Sequence, residues 1–173
     1  MILMNDFNAE PAALKEEMLA VVARVIDSSW FVLGEEVKTF EHCWADTCGV
    51  SHAVGVGNGM DAIEIALRSL NIGLGDEVIT TSMTAFATVL AILRAGATPV
   101  LADIDADTAL LNRESVARCI SPKTKAVILV HLYGQVRDMD AWVKFCDSRE
   151  LNLIEDCAQS HSNLAAGNTG TAA

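Results

Sequence analysis

Residues 126–132 read AVILVHL, and this short apolar segment decides the fold class. Residues 127–130 are consecutive aliphatic side chains, a pattern typical of a strand that is buried on both faces of a sheet. Further short apolar segments predict strands at 52–57, 77–81, 99–104 and 152–155. The sequences between them repeat apolar residues at helical spacing, and strands that alternate with helices predict a mainly parallel α/β sheet flanked by helices.

The chain before this alternating region is predicted to be helical. Pro11 suits the first turn of a helix, and apolar residues then recur at helical spacing. A second helix is predicted at about 35–47. We therefore expect a helical segment over residues 1–50 and an α/β domain over residues 51–173.

Length and charge limit the possible functions. The 173 residues suffice for one domain, and a hydrophobic fraction of 51% provides a sizeable core. Lysine and arginine number 12 against 23 acidic residues, and the resulting net charge of −11 argues against a nucleic-acid partner. The apolar runs fall far short of the ~20 residues that cross a bilayer, and the N-terminus lacks a signal-peptide pattern. We expect a cytoplasmic protein without a membrane span.

The cysteines favour reduced thiols over disulfides or a metal site. They number five, an odd count, and include no C-x-x-C pair, which is typical of a reducing compartment. His42, Cys43, Cys48 and His52 lie close together in the sequence, but their spacing matches no common zinc pattern. No metal site is predicted.

Glycines and polar residues follow the predicted strand at 52–57. Residues 55–61 read GVGNGMD and lead into a predicted helix. Glycine lets the backbone approach a ligand closely, and the free N–H groups of a helix start attract anions, so a phosphate cradle is one interpretation. The other is a tight strand-to-helix turn with Asn58 as N-cap. The dinucleotide-binding pattern G-x-G-x-x-G fails, because Met60 stands in place of its last glycine.

A second group of polar residues ends the strand at 152–155. Residues 153–161 read LIEDCAQSH, so a carboxylate is followed by an amide and then by an imidazole. Glu155 and Asp156 are adjacent and point to opposite sides of the strand, so they do not form a hydrolytic carboxylate pair. Asp156 either caps the next helix or takes part in chemistry, since ligands of parallel sheets bind beyond the carboxyl ends of the strands.

Six motifs in a fixed order resemble one enzyme family. They are GNGMDA at 57–62, NIGLGDEVI at 71–79, GATPV at 96–100, DID at 103–105, HLYGQ at 131–135 and EDCAQSH at 155–161. Together they resemble the DegT/DnrJ/EryC1/StrS family of pyridoxal-phosphate-dependent sugar aminotransferases, from about Phe31 to the end of the chain. The resemblance implies the large domain of an aspartate-aminotransferase-type fold. It also implies amino transfer to a nucleotide-linked keto-sugar, commonly from glutamate.

The resemblance further implies residues that bind pyridoxal 5'-phosphate (PLP). The backbone N–H groups of Gly59 and Met60 would hold the phosphate, although many relatives have Thr or Ser at the position of Met60 and gain a hydroxyl contact. Asp156 would pair with the pyridine nitrogen and favour its protonated form, and Gln159 would hydrogen-bond the phenolic oxygen.

An aromatic residue that stacks on the cofactor ring is displaced in this chain. Relatives place it directly after the residue that matches Thr84, where this chain has Ala85 and then Phe86. Either the loop brings Phe86 over the ring or Phe86 is a core residue. His131 and His161 are interpreted as structural.

The Schiff-base lysine of the family has no counterpart in this chain. Lys123, Lys125 and Lys144 precede the D-x-x-Q motif and match no such segment, so no catalytic residue is assigned. Residues 166–173 resemble the approach to the lysine-bearing segment, and the small C-terminal domain is expected to be absent. We expect the chain to be the N-terminal half of an enzyme and not to transaminate on its own.

Two alternatives to an aminotransferase remain open. One is a PLP-dependent sugar dehydratase of the same superfamily, in which another base replaces the lysine. The other is a non-catalytic, truncated PLP-fold module that serves binding or assembly. The complete protein is expected to be a homodimer, because the family builds each active site from two subunits, with residues 30–34 near the partner's pocket.

Overall fold

The computed structural model describes residues 11–161, which form six α-helices, one 3₁₀ turn and four β-strands. Their order is α1 (Ala12–Ser28), α2 (Glu35–Cys48), α3 (Gly59–Ser69), β1 (Glu77–Thr81), α4 (Phe86–Ala95), β2 (Thr98–Ala102), α5 (Arg113–Cys119), β3 (Thr124–Val130), the 3₁₀ turn (Leu132–Gly134), α6 (Met139–Asp147) and β4 (Asn152–Asp156). The segment 166–173 lies outside the described residues.

The four strands form one parallel sheet in the order β2-β1-β3-β4. Each connection between consecutive strands contains one helix, as parallel pairing requires. The register of β3 and β4 aligns Val130 with Asp156, so these strands end together. The predicted parallel α/β sheet is confirmed.

Helices cover both faces of this sheet. One face packs against α3 and α4, and Leu67, Ile92 and Ile128 are fully buried there. The other face packs against α5 and α6 around Val127 and Trp142. Adjacent residues of β3 thus enter opposite cores, which explains the uninterrupted apolar run that predicted this strand.

Helix α3 directs its first residue toward the carboxyl edge of the sheet. Its C-terminal end leads through a turn at residues 70–76 into β1, so this end lies at the amino edge. The helix has 11 residues, and a rise of about 1.5 Å per residue gives it a length of about 16 Å. Its N-terminus is therefore on the side where β3 and β4 end.

The prediction of a strand at 52–57 is wrong. These residues have no regular secondary structure, and Val54 and Val56 are exposed. A strand requires a neighbouring strand as hydrogen-bond partner, but here the N–H of Gly55 donates to Glu41 Oε1 in α2 over 2.7 Å. Alternating apolar residues alone do not supply that partner.

Two other strands differ from prediction at their ends. Strand β2 was predicted at 99–104 but ends at Ala102, because the Asp105 carboxylate accepts N–H groups of Asp107 and Thr108 and bends the chain. Strand β3 was predicted to reach Leu132 but ends at Val130, where the 3₁₀ turn follows.

Helix α1 confirms the predicted N-terminal helix but contributes no buried residue to the described part of the chain. Its apolar side chains include Met18, Val22 and Ile26, each more than half exposed. The apolar segment 30–33 that follows is also exposed. Among the described helices, none combines the length and hydropathy needed to cross a membrane.

Candidate functional site

Asp156 is the last residue of β4 and lies at the carboxyl edge of the sheet. Its Oδ1 accepts the N–H of Ala158 over 3.1 Å, which shapes the turn after the strand. Its Oδ2 lies 3.4 Å from the Thr88 hydroxyl of α4. The N–H of His131 donates to its carbonyl oxygen over 3.1 Å. The carboxylate is therefore fixed at both oxygens and remains half-buried at the end of the strand.

Gln159 is connected to the segment that follows β3. The N–H of Tyr133 donates to Gln159 Oε1 over 2.8 Å, so the amide oxygen is used within the fold. Tyr133 has a φ of 57°, in the left-handed region that a side chain disfavours, and this hydrogen bond helps to hold it there. The Gln159 Nε2 has no partner among the described residues and is available as a donor.

The start of α3 presents two free backbone donors. Asn58 is the N-cap, and its side chain accepts the N–H of Asp61 over 2.9 Å. The N–H groups of Gly59 and Met60 have no partner in the described part of the chain. A Cβ added at Gly59 would meet no atom within 4 Å, so space lies beside it. The Asn58 N-cap is confirmed, and the phosphate cradle stays a prediction, with two backbone donors left at the start of the helix.

Charged residues connect α3 to α4 directly below that helix start. Arg94 contacts the Asp61 carboxylate at 3.2 Å and the Glu64 carboxylate at 2.8 Å. Glu64 also pairs with Arg68 at 2.9 Å. The Met60 sulfur lies 3.8 Å from Arg94, and Met60 packs against the core of α3 and α4. Arg94 thus offsets the acidic charge of Asp61, which would otherwise oppose an anion at the N-terminus of the helix.

Phe86 is the first residue of α4 and is 73% exposed. It is therefore not a core residue of the described chain, and that alternative is wrong here. It lies two residues before Thr88, which contacts Asp156. The exposed ring is thus close in sequence to the residue that touches the candidate site.

His131 and Glu155 form a buried pair on the opposite side of β4 from the site. His131 Nε2 lies 3.0 Å from Glu155 Oε2, and the two side chains are 1% and 12% exposed. Cys157 lies beside them, with one potential ligand atom of each residue within 4.8 Å. The hydrogen bond joins His131 and Glu155, whereas the buried Nδ1 of His131 has no hydrogen-bond partner among the described residues. Ser160 Oγ donates to the backbone carbonyl of His131, which connects the turn after β4 to the end of β3.

Burial suppresses the reactivity of the thiol next to Asp156. It raises the pKa of Cys157 to about 12, and the carboxylates of Glu155 and Asp156 add to this rise. Burial likewise raises the pKa of Cys146 to about 11. Neither thiol is a nucleophile at neutral pH. All five cysteines are free.

Two lysines lie at the amino end of β3, away from the site. Lys123 precedes the strand and Lys125 is its second residue, whereas Asp156 of β4 pairs with Val130 at the carboxyl end of β3. Five residue steps along the strand separate Lys125 from Val130, a distance of about 16 Å. Neither lysine is positioned to act beside Asp156.

The structure brings together some of the predicted site residues and adds others. Asp156 and Gln159 lie in the same turn after β4, and α4 reaches Asp156 near Phe86. The free N–H donors of Gly59 and Met60 lie at the start of α3. In the described part of the chain these two residues make no direct contact with Asp156. Sequence reasoning missed Thr88, which no local pattern of α4 marks and which reaches Asp156 across 68 positions of the chain.

The fold matches solved enzyme structures. DesV from S. venezuelae has a TM-score of 0.87 and 44% sequence identity, over 91% of this chain and 42% of that chain. Two further matches are each 29% identical to this chain. One is NtdA from Bacillus subtilis with bound cofactor PMP, and the other is the putative sugar aminotransferase Spr1654 from Streptococcus pneumoniae in its PLP-form. The parallel sheet with its flanking helices therefore has the α/β fold of PLP-dependent aminotransferases.

The family follows from the sequence. The DegT/DnrJ/EryC1/StrS aminotransferase family model matches residues 12–173, and the chain belongs to this family. A dTDP-3-amino-3,6-dideoxy-alpha-D-galactopyranose transaminase of Aneurinibacillus thermoaerophilus is 41% identical over 96% of this chain and 46% of its own length. A dTDP-3-amino-3,4,6-trideoxy-alpha-D-glucose transaminase of Streptomyces venezuelae is 45% identical over 90% of this chain and 41% of its own length. The chain thus spans less than half the length of these curated relatives.

Proposed function

We propose that this chain supplies the PLP-binding part of an aminotransferase that acts on a nucleotide-linked keto-sugar. The observation that carries the proposal is the Asp156 carboxylate, fixed at the carboxyl edge of the sheet by Ala158 and Thr88. A fixed carboxylate at this position suits a ring nitrogen that must stay protonated. Family membership and the sugar transaminases among the relatives support the same conclusion.

The residues of this chain fit PLP at four points. The free N–H groups of Gly59 and Met60 at the start of α3 suit its phosphate. Asp156 suits the ring nitrogen, and the free Nε2 of Gln159 suits the phenolic oxygen. Phe86, exposed at the start of α4, is the aromatic residue we assign to the ring face. When bound, PLP supplies an electron sink for the carbon that gains or loses its proton.

Each of these residues has a defined task in that reaction. Gly59 and Met60 hold the phosphate through backbone donors, so the side chain of Met60 is free to pack against the core. Asp156 keeps a proton on the ring nitrogen, and the contacts of its two carboxylate oxygens with Thr88 and Ala158 hold the carboxylate in one orientation. Gln159 orients the ring while Tyr133 orients Gln159. Proton transfer at the substrate requires a base outside residues 11–161, the role that the resemblance gives to a lysine.

We further propose that the keto group is at C3 of the sugar. Both relatives described above are named as transaminases of a dTDP-linked 3-amino sugar. Glutamate is the proposed amino donor. The complete enzyme is proposed to be a cytoplasmic homodimer, supported by the exposed apolar side chains of α1 and of residues 30–33 and by five free cysteines. Residues 51–173 are proposed as part of the PLP-binding domain, and residues 1–50 as the helical segment before it.

The test is an assay of the complete enzyme with PLP, glutamate and synthetic dTDP-linked 3-keto and 4-keto sugars. Mass spectrometry is expected to show an amino sugar from the 3-keto substrate, and none when glutamate or PLP is omitted. Loss of water without gain of nitrogen would favour the dehydratase instead. An enzyme that does not bind PLP would contradict the whole proposal.

A further inference from the structure

Two threonine hydroxyls form a chain that ends on Asp156. Thr84 Oγ1 and Thr88 Oγ1 are 2.9 Å apart, and Thr88 Oγ1 is 3.4 Å from Asp156 Oδ2. Thr88 is 1% exposed, so water does not substitute for either contact. Thr88 lies in the first turn of α4 and Thr84 in the bend just before that helix, and their hydroxyls meet there.

The direction of both hydrogen bonds follows from counting protons. An ionised carboxylate only accepts, so Thr88 must donate its single hydroxyl proton to Asp156. Thr88 then has no proton left for Thr84, and Thr84 must be the donor between the two hydroxyls. The order is therefore Thr84 to Thr88 to Asp156.

We infer that Thr88 is a positioning residue, which holds the Asp156 carboxylate oriented toward the ring nitrogen, with Thr84 orienting the Thr88 hydroxyl. This inference rests on the proposed function. Hydrogen bonds to the charged form of a carboxylate stabilise that form, and consecutive bonds strengthen one another. The 3.4 Å contact is long for a hydroxyl donor, and such contacts commonly tighten when the ligand is bound.

The other oxygen of Asp156 explains why the hydroxyl matters. Oδ1 accepts the N–H of Ala158, a local hydrogen bond within the turn that directly follows β4. Thr88 supplies the one contact to the side chain of Asp156 that comes from a different element in the described part of the chain. Without it the carboxylate can rotate about its last torsion, and the charge beside the ring nitrogen becomes weaker.

The experiment replaces Thr88 in the holoenzyme and follows the ring nitrogen of bound PLP. Thr88→Val keeps the shape of the buried side chain and removes the hydroxyl, whereas Thr88→Ser keeps the hydroxyl. The protein is loaded with PLP labelled with ¹⁵N at the ring, and its chemical shift is recorded against pH. In Thr88→Val we expect the midpoint of ring deprotonation to fall by about one pH unit, the effect of one hydrogen bond to a charged group. Thr88→Ser is expected to follow the wild type.

Three further readouts separate positioning from structure. The dissociation constant for PLP is expected to stay within about threefold of the wild type in Thr88→Val, since the phosphate contacts at Gly59 and Met60 remain. At a pH above both midpoints, kcat is expected to fall about tenfold with an unchanged KM, in proportion to the lost ring protonation. Loss of stability in Thr88→Val with an unchanged ¹⁵N titration would overturn the inference.

A second variant keeps the inference testable if Thr88→Val does not fold. Thr84→Val removes the donor to the Thr88 hydroxyl and is expected to lower the same midpoint by a smaller amount. A Thr84→Val titration identical to the wild type would then overturn the inference. If the wild-type holoenzyme itself binds no PLP, the proposed function fails together with the inference; if it binds PLP and neither variant moves the titration, only the inference fails.

Discussion

The backbone N–H of Tyr133 donates to the Oε1 atom of Gln159 over 2.8 Å and thereby connects the segments that follow β3 and β4. Because these strands are neighbours with aligned ends, their following segments meet at one edge of the sheet. The bond also fixes which end of the amide is used within the fold. The NH₂ group of Gln159 is left as the donor for a ligand.

Two substitutions of Gln159 separate its internal and external hydrogen bonds. Gln159→Glu keeps an acceptor for Tyr133 but removes the NH₂ donor, whereas Gln159→Leu removes both. We expect both variants to bind PLP about tenfold more weakly and to shift its visible absorption, as loss of a hydrogen bond to a charged oxygen implies. Only Gln159→Leu is expected to lower the free energy of unfolding, by about 1 kcal/mol.

Absorbance titration with PLP and urea unfolding of the same samples check this prediction. Equal PLP affinity in Gln159→Glu and the wild type would remove Gln159 from the cofactor site. Equal stability of Gln159→Leu and Gln159→Glu would show that the bond to Tyr133 contributes little to the fold.

The buried pair of His131 and Glu155 is expected to matter for stability and not for chemistry. His131→Ala leaves the Glu155 carboxylate without its partner at 3.0 Å, and removal of one partner from a buried pair costs about 3–5 kcal/mol. Glu155→Gln keeps a hydrogen-bonding group of the same shape and is expected to cost about 1 kcal/mol. Urea unfolding followed by fluorescence, to which the buried Trp142 contributes, measures both values. A His131→Ala protein as stable as the wild type would contradict this assignment.

The elements of the fold differ in how well the sequence predicts them, and the difference has a physical reason. Strand β3 and the helices were predicted because their apolar residues repeat at a period that the sequence itself contains. The strand predicted at 52–57 failed because a strand also needs a partner, and Gly55 bonds to Glu41 instead. The contact between Thr88 and Asp156 spans 68 positions, and nothing in the local pattern of α4 marks that threonine. Asp156 and Gln159 were assigned only through the resemblance of their motif.

Reactivity of Cys157 toward iodoacetamide is expected to be very low at neutral pH. Burial, aided by the nearby carboxylates, raises the pKa of this thiol from 9.0 to about 12. Its alkylation rate should be far below that of the exposed Cys43 and should rise about tenfold per pH unit from pH 7 to 9 without a plateau. Mass spectrometry of native, time-quenched samples measures both sites. Equal rates at Cys157 and Cys43 would contradict the burial of this thiol.

The same shift predicts how stability depends on pH. The Cys157 thiol of the unfolded chain ionises near pH 9, and that of the folded chain near pH 12. Between these values the unfolded state has lost the proton and the folded state still binds it, so the free energy of unfolding falls as the pH rises. Cys157→Ala should be mild at neutral pH and should reduce this alkaline loss. A Cys157→Ala protein with the same decline as the wild type would assign the decline to other groups.

Asp156→Asn is expected to reduce turnover of the holoenzyme far more than its affinity for PLP. The amide keeps the size of the side chain and can still accept the N–H of Ala158, but it lacks the negative charge. A carboxylate beside the ring nitrogen raises the pKa of that nitrogen by roughly 1–3 units, so kcat should fall about a hundredfold or more. The dissociation constant for PLP should change by less than about tenfold, since the backbone donors at Gly59 and Met60 remain.

Glu155→Gln is the matched control, because it neutralises the adjacent carboxylate, which contacts His131 instead, and should leave kcat unchanged. A variant that loses PLP while the residual holoenzyme turns over normally would show that Asp156 binds the cofactor without assisting the reaction.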